Sequence, residues 1–260
     1  MTPALCRATD YFRQNKYRMP QDMSSGLFNW YFSTPEDAFA YWSKQPETST
    51  IVNNFIRGYF GAPHNTPVQW YDYEASIFND VDPAKSDYIW IDIGGGKGLN
   101  ISRLLNKYPH LPDKGKLALQ DLPNTVSQIP PDGLDGRIQR VPHDFFTPQP
   151  IIGSRAYCIE NVLHNWDDAS ARKILRHVRD AMIPGYSKLN ISCMIFPDTK
   201  STTFLADLSA YLLWIHNSGT RSEKAWRELI GEVKGLKVVT ISFDPVQSDG
   251  NGVIEVERVE

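Results

Sequence analysis

The sequence has little cysteine and no long apolar stretch. Three cysteines, Cys6, Cys158 and Cys193, lie far apart in a chain of 260 residues. An odd number of widely separated cysteines supports neither a disulfide framework nor a zinc site, so we expect no bound metal. The longest apolar run, residues 210–215, has six residues, whereas a membrane-spanning helix needs about 20. We therefore expect no membrane partner.

The sequence also lacks an excess of positive charge. Lysine and arginine together number 27 and aspartate and glutamate 30, which gives a net charge of −3. A surface that neutralises nucleic-acid phosphates is normally rich in basic residues, so we expect no nucleic-acid partner. Charged residues such as Arg7, Asp10 and Arg13 interrupt the first apolar residues. We therefore expect no signal peptide and a cytoplasmic protein.

What is present is an ordinary globular composition, with 41% hydrophobic and 22% charged residues. Residues 1–85 are rich in aromatic side chains and predict several helices. The string Thr34-Pro35-Glu36-Asp37 is typical of a helix start with Thr34 as the capping residue. Gly61-Ala62-Pro63 is expected to end a helix over residues 47–60. The aromatic side chains either pack between these helices or line a pocket for a flat ligand.

From residue 86 onward, short apolar segments alternate with amphipathic helical ones. The expected strands cover residues 88–93, 116–121, 138–141, 156–159, 189–196, 237–243 and 253–259, with helices near 99–105, 168–182 and 204–215. This alternation predicts an α/β fold with a doubly wound parallel sheet. The turn Asp249-Gly250-Asn251-Gly252 predicts a closing hairpin and thus one antiparallel strand. We divide the chain into a helical segment, residues 1–85, and an α/β domain, residues 86–260.

The sharpest local signal is the glycine-rich turn Gly94-Gly95-Gly96-Lys97-Gly98, between the first strand and its helix. Such a turn lets the backbone approach a ligand closely and points free N–H groups at it. A phosphate-binding P-loop requires Ser or Thr where this chain has Gly98. A dinucleotide site requires a third glycine where this chain has Leu99. A site for the amino-acid end of S-adenosylmethionine is the third interpretation, and the turn alone does not decide between them.

Two acidic residues follow the next two strands. Asp121 comes 23 residues after Gly98, at a strand end where a carboxylate can accept both hydroxyls of a ribose. Asp144 precedes Phe145, so it could accept from an adenine amino group beside a stacking ring. Each acid alone is better explained as a helix cap or a solvated loop residue. Together with the glycine turn, at three strand ends in order, they predict a nucleoside site.

Five longer strings extend this pattern through the chain. They are residues 91–98 (IDIGGGKG), 120–123 (QDLP), 143–150 (HDFFTPQP), 163–168 (LHNWDD) and 182–189 (MIPGYSKL). In this order they resemble the fungal S-adenosylmethionine-dependent O-methyltransferases, which are similar to plant caffeate and flavonoid O-methyltransferases. The resemblance covers nearly the whole chain. It implies a class I methyltransferase fold, which is Rossmann-like and doubly wound, with S-adenosylmethionine as the cofactor.

The resemblance also implies roles for single residues. The cofactor-binding set that it implies is Asp92, Gly94, Gly96, Asp121, Leu122, Asp144 and Phe145. His164 matches the general base that takes the proton from a phenol or enol hydroxyl, and a neutral imidazole with a pKa near the usual value of about 6.5 suits that step. On the substrate side, the expected residues are Trp166, His216 and Asn217.

Four positions depart from the family pattern. Acidic residues normally orient the histidine, but the matching positions hold Cys193 and Thr220. Asn165 replaces the aspartate that usually follows the histidine, and Glu160 replaces a lysine of the plant relatives. Without the two acids, His164 would be a weaker base, or the substrate would have to supply its own acidity.

The resemblance carries an expectation about assembly. Family members usually begin with a winged-helix-like domain that dimerises, whereas this chain enters directly at the helices that follow such a domain. Its N-terminal helices would then expose an apolar surface. We therefore expect a homodimer or a heteromer that forms through these helices.

The hypothesis that these residues favour is methylation of a hydroxyl on an aromatic or polyketide-like small molecule in secondary metabolism. One alternative keeps the fold and the cofactor but catalyses a dehydration or a pericyclic reaction without methyl transfer. A second alternative is a non-catalytic subunit.

Overall fold

The N-terminal part of the chain is helical, as the sequence predicts. A computed structural model describes residues 2–18, 23–60, 66–197, 199–246 and 250–260. The first helices are α1 (Thr2–Cys6), α2 (Ala8–Gln14), α3 (Leu27–Phe32), α4 (Ala38–Ser43), α5 (Pro46–Phe60) and α6 (Tyr73–Ser76). Single 3₁₀ turns at Pro67–Gln69 and Phe78–Asp80 lead into the first strand.

The start of α4 differs from its prediction. Asp37, rather than Thr34, is the capping residue, and its carboxylate accepts a 3.0 Å hydrogen bond from the Ala40 N–H. The Thr34 hydroxyl instead accepts from the Glu36 N–H at 3.2 Å, which closes a short turn before the helix. The predicted stop at Gly61-Ala62-Pro63 lies outside the described residues.

The described part of the chain forms one seven-stranded sheet. Its strands are β1 (Tyr88–Ile93), β2 (Lys116–Asp121), β3 (Ile138–Pro142), β4 (Ala156–Glu160), β5 (Lys188–Met194), β6 (Leu236–Phe243) and β7 (Asn251–Arg258). The order across the sheet is β3-β2-β1-β4-β5-β7-β6. The first five strands are parallel, and β7 runs antiparallel to both β5 and β6. The predicted α/β class and the antiparallel closing strand are confirmed; Asp249 of the predicted turn lies outside the described residues.

Helices cover both faces of the sheet. They are α7 (Leu99–Lys107), α8 (Leu111–Lys114), α9 (Pro123–Ser127), α10 (Asp168–Ala181), α11 (Thr203–His216) and α12 (Glu223–Gly231). On one face, α10 and α12 bury residues such as Leu175 and Trp226 against the strands. On the other face, Leu104 of α7 shares a core with Tyr73 and Phe78. Because both faces are covered, the central strand β1 is almost continuously apolar and buried, as is typical of parallel sheets.

The N-terminal helices pack against α11. Phe28, Trp42 and Val52 form a buried cluster with Ile215, and the Phe28 and Trp42 rings meet edge to face with centroids 5.8 Å apart. These aromatic residues therefore pack between helices, which is one of the two interpretations of their abundance. The division of the chain near residue 85 stays a prediction. None of the described helices is both long and apolar enough to cross a bilayer.

The strand order places the carboxyl ends of β1 and its neighbours at one edge. β1 lies between β2 and β4, so the chain leaves β1 towards one side of the sheet and later returns on the other side. In open α/β sheets such a reversal of strand order opens a crevice at the carboxyl ends, where ligands bind. The glycine turn after β1, Asp121 at the end of β2 and His164 after β4 all belong to this edge.

Candidate active site

The glycine turn has a backbone that side chains would not tolerate. Gly94 and Gly96 have φ values of +70° and +60°, in the left-handed region that favours glycine. A Cβ atom on Gly94 would lie 2.9 Å from a methyl group of Val162, whereas one on Gly96 would meet no atom within 4 Å. The Gly94 and Gly95 N–H groups donate to the Gln120 carbonyl at 2.8 and 3.1 Å. The turn is thus fixed on β2, and its Gly96 end faces open space.

Asp121 ties this turn to the end of β2. One carboxylate oxygen accepts from the Gly96 N–H at 2.9 Å and the other from the Leu122 N–H at 2.8 Å. Each oxygen has about two lone-pair sites, so both can still accept a hydroxyl. The neighbouring Leu122 is 50% exposed although it is apolar. An open glycine turn, a carboxylate with spare acceptor capacity and an exposed apolar side chain fit a ribose and a flat base.

Phe145 is the residue after β3 that approaches the turn. Its ring edge lies 3.5 Å from the position that a Cβ atom on Gly94 would occupy. Asp144 accepts from the Phe146 N–H at 2.9 Å and so shapes the loop that presents Phe145. The ring of Trp166 packs edge to face on Phe145 and Phe146, with centroids 5.8 and 4.7 Å away. The structure therefore groups Trp166 with the expected cofactor residues, although the sequence places it on the substrate side.

Asp92 lies beneath the turn rather than beside the open space. It is 3% exposed, and its carboxylate would be 2.5 Å from a Cβ atom on Gly95. Together with Glu160 and Asn190 it lines a cavity of about 10 Å³. One Asp92 oxygen and both amide atoms of Asn190 have no hydrogen-bond partner among the described residues. Burial, followed by the charge of Asp121, raises the pKa of Asp92 to about 7.

His164 lies in a buried 3₁₀ turn, Leu163–Asn165, that follows β4. It is 4% exposed. Its carbonyl accepts a 2.6 Å hydrogen bond from the Ser218 hydroxyl. Burial, and secondly the positive charge of Arg221, lower the pKa of His164 to about 4. The imidazole is therefore neutral at physiological pH, with a pKa lower than the 6.5 that the sequence interpretation assumes.

Arg221 is the residue of this site whose role the sequence does not indicate. Its guanidinium donates to the Leu163 carbonyl at 3.0 Å and to the Trp166 carbonyl at 2.6 Å. It also donates to the Asp168 carboxylate at 2.9 Å. Leu163 precedes Arg221 by 58 residues, and no motif links the two positions. Only the fold brings the arginine to the His164 turn.

His216 and Asn217 lie between α11 and the N-terminal helices. The imidazole of His216 stacks on the Phe39 ring with centroids 4.8 Å apart and planes at 22°. Burial and the neighbouring His164 lower its pKa to about 3. Asn217, with a φ of +50°, ends α11 and donates to the Asn29 side chain at 3.5 Å. The structure thus brings His216 near His164 and places Asn217 against α3.

The positions where acids are expected hold neutral side chains. Cys193, at the end of β5, is buried, and burial raises the pKa of its thiol to about 12. The Thr220 hydroxyl is buried and has no hydrogen-bond partner among the described residues. Asn165 donates to the Asn161 carbonyl at 3.4 Å. At physiological pH, none of the three carries a negative charge beside His164. In the described ranges, no group of three His, Cys, Asp or Glu side chains is placed to hold a metal ion.

Comparison with known proteins identifies the family. Residues 76–235 match the model of the O-methyltransferase domain. The chain belongs to the O-methyltransferase domain family. It is 33% identical over 250 residues to methyltransferase cfoC of Aspergillus candidus, covering 95% of this chain and 60% of that protein. It is 31% identical over 260 residues to O-methyltransferase penC of Penicillium thymicola, covering 100% and 63%. The chain thus spans about three fifths of the length of these relatives.

Two solved structures of proteins in complex with S-adenosylhomocysteine share the fold of this chain. A variant of LepI, in complex with S-adenosylhomocysteine (SAH) and a substrate analogue, superposes with a TM-score of 0.85 at 25% identity, covering 98% of this chain and 64% of LepI. OxaC, in complex with SAH and oxaline, superposes with a TM-score of 0.84 at 23% identity, covering 99% and 63%. The class I methyltransferase fold that the sequence resemblance implies is confirmed.

The buried carboxyl groups predict an unusual pH dependence of stability. Burial raises the pKa of Asp92 to about 7; burial, and secondly Asp92, raise that of Glu160 to about 8. The folded state therefore keeps protons that the unfolded chain releases above about pH 4, and the free energy of unfolding falls as pH rises until both groups are ionised. His164 and His216, with lowered pKa values, act in the opposite direction, and their effect fades between about pH 6.5 and 7.5 as the unfolded chain loses its histidine protons. Urea unfolding between about pH 7 and 8.5 therefore reports mainly on the two acids.

We expect Asp92→Asn and Glu160→Gln each to reduce this loss of stability with pH. Glu223→Gln, which changes an exposed carboxylate on α12, is the matched control and should keep the wild-type slope. A wild-type protein whose free energy of unfolding is constant or rises across this window would contradict the assignment.

Proposed function

We propose that this chain binds S-adenosylmethionine at the glycine turn and methylates a hydroxyl of an aromatic or polyketide-like small molecule in secondary metabolism. The observation that carries the proposal is the placement of the open turn, Asp121 and Phe145 at the same sheet edge as the buried, neutral His164. Relatives such as O-methyltransferase penC and the OxaC complex with SAH and oxaline support it.

In this proposal, the end of β2 and the loop after β3 hold the cofactor. Asp121 accepts the ribose hydroxyls, and Leu122 and Phe145 enclose the base with apolar surface. Asp144 keeps Phe145 against the turn, and Gly96 leaves room for close backbone approach. When bound, S-adenosylmethionine supplies an activated methyl group. The protein then has to align the acceptor and remove its proton.

His164 is proposed to accept that proton on its imidazole. A neutral base and alignment of the acceptor are the two contributions the chain can make, and a positioned general base typically contributes a factor of about 10²–10⁴. His216 and Asn217 lie towards the N-terminal helices, so we place the acceptor between the His164 turn and the end of α11. Without acids at Cys193 and Thr220, the imidazolium gains no carboxylate support there. We therefore expect acceptors with acidic hydroxyls, such as phenols and enols.

A second function is favoured by one specific feature, the neutral residues at Cys193 and Thr220. One solved structure that superposes on this chain with a TM-score of 0.83, at 25% sequence identity, is that of a pericyclic reaction enzyme. In this alternative, the chain binds the cofactor but transfers no methyl group. Measuring both SAH binding and methyl transfer distinguishes the two functions, because the alternative requires cofactor binding without methyl transfer.

The proposed function is tested by label transfer from methyl-labelled S-adenosylmethionine to a panel of hydroxylated aromatics and polyketides. With an acceptor found, His164→Ala should lower kcat by about 10²–10⁴-fold, since proton removal would lose its base. The affinity for SAH should remain within about twofold, because the imidazole is proposed to face the acceptor. His110→Ala, which changes an exposed histidine between α7 and α8, is the matched control.

Binding of SAH without label transfer to any acceptor would favour the non-methylating alternative. Label transfer that is unaffected by His164→Ala would refute the general base. Absence of SAH binding would refute the proposed function as a whole.

Asp121→Ala tests the cofactor site separately. It removes the charged acceptor, and the affinity for SAH should fall by about ten- to a hundredfold, measured by titration calorimetry. Asp87→Ala, which removes an exposed carboxylate just before β1 at the opposite sheet edge, should bind as the wild type does. Equal affinity of the two variants would exclude Asp121 as the ribose ligand.

We also propose that the protein is cytoplasmic.

We further propose that the protein assembles as a homodimer or heteromer through the N-terminal helices. Ile51 and Phe55, on α5, are 60% and 53% exposed. Light scattering of purified protein should give the mass of a dimer, and Ile51→Glu should shift it towards a monomer, because an interface disfavours an unpaired charge. Ile152→Glu changes an isoleucine that is 64% exposed before β4 and should leave the mass unchanged. A monomer at high concentration would exclude the homodimer.

A further inference from the structure

We propose that Arg221 is a positioning residue that fixes the His164 turn through hydrogen bonds to its backbone and brings a permanent positive charge to that turn. The inference rests on the proposed function for its catalytic meaning, whereas its structural content concerns the state of His164 alone. Arg221 is not expected to touch cofactor or acceptor. It acts on His164 through the backbone and through its charge.

Hydrogen bonds hold the His164 turn at three points. Arg221 donates to the Leu163 carbonyl at 3.0 Å and to the Trp166 carbonyl at 2.6 Å, on either side of the histidine. The Ser218 hydroxyl donates to the carbonyl of His164 itself at 2.6 Å. Both donors come from the segment between α11 and α12, so the turn is tied to one neighbouring element. Planar guanidinium groups suit such forked contacts better than the single ammonium of lysine does.

The guanidinium is itself held firmly in place. Arg221 is 9% exposed and forms an ion pair with Asp168, the first residue of α10, at 2.8 Å. On its other side, the guanidinium carbon lies 5.1 Å from the centre of the Trp226 ring, which is fully buried. A carboxylate, a ring and two carbonyls thus fix one side chain. The position of His164 therefore depends on the docking of α12.

The charge that acts on the imidazole is that of Arg221. Arg221 bonds to the backbone carbonyls on both sides of His164, and its charge also acts on Cys193 of β5, while His216 of α11 is the neighbouring histidine. Cys193 and His216 are neutral at physiological pH, because their pKa values are about 12 and about 3. Asp168 carries a negative charge, but its carboxylate is 60% exposed and forms an ion pair with Arg221. Arg221 is thus the charged group that acts on His164 directly, and a cation disfavours protonation.

The direct test follows the titration of His164 by NMR in protein with labelled histidine, which requires no turnover. In Arg221→Gln, loss of the cation should raise the titration midpoint of His164 by about one pH unit. Arg221→Lys retains the charge, so the midpoint should stay low. Its His164 resonance should nevertheless shift or broaden, because an ammonium cannot hold both carbonyls in the fork.

Arg258→Gln is the matched control. Arg258 also donates to backbone carbonyls, at 2.7 Å to Met182 and at 3.0 Å to Arg179, but near the end of α10 and far along the sheet from His164. Both glutamine variants lose carbonyl contacts of the same kind. If Arg221 acts only by holding the backbone in place, the titration midpoint of His164 should be the same in the two variants. We expect the midpoint to move only in Arg221→Gln.

Where methyl transfer is measurable, kinetics provide a second readout. Arg221→Lys should lower kcat by about tenfold with the KM of the acceptor within about twofold, and Arg221→Gln should also move the acidic limb of the kcat profile to higher pH. An unchanged His164 midpoint in folded Arg221→Gln would overturn the proposal. If that variant does not fold, a His164 resonance in Arg221→Lys identical to that of the wild type would overturn it. Absence of methyl transfer would count against the proposed function and leave the NMR test intact.

Discussion

The bonding of the glycine turn to the end of β2 is the constraint on which the rest of the site depends. Hydrogen bonds to charged groups contribute about 1.5–3 kcal/mol each, and Asp121 accepts two of them, from Gly96 and Leu122. The Gln120 carbonyl accepts two more from the same turn. The left-handed backbone of Gly94 and Gly96 permits this close approach and leaves the open space at Gly96, and the Phe145 ring packs next to Gly94.

Burial dominates the electrostatics on both sides of this edge. Protonating His164 at neutral pH would cost about 3 kcal/mol more than protonating the free residue, if its pKa of about 4 is compared with 6.5. An exposed ion pair is worth at most about 1 kcal/mol, so a surface carboxylate could not reverse that preference. The same physics raises the pKa of Asp92 and of Glu160 beneath the turn. A neutral imidazole and weakly acidic buried carboxyl groups thus share one origin.

Much of the fold can be predicted from the sequence, because its signals are local. The sequence predicts β1 and β2 at the residues where they occur, since each is a short apolar run between turn residues. It does not predict the start of α4, because Thr34 and Asp37 are both good caps and only the packed helix decides between them. The roles of the predicted site residues stay predictions, yet the structure does bring the glycine turn, Asp121 and Phe145 together. The contacts of Arg221 cannot be predicted because its partners include backbone carbonyls, which carry no residue-specific signal.

A crystal structure of the protein with SAH tests the central claim most directly. We expect the ribose hydroxyls within hydrogen-bond distance of the Asp121 carboxylate and the base between Leu122 and Phe145. We also expect His164 to face the ligand's sulfur across the sheet edge, with Arg221 still bound to the carbonyls of Leu163 and Trp166. A ligand bound elsewhere on the chain, or one with its ribose away from Asp121, would contradict this assignment of the site.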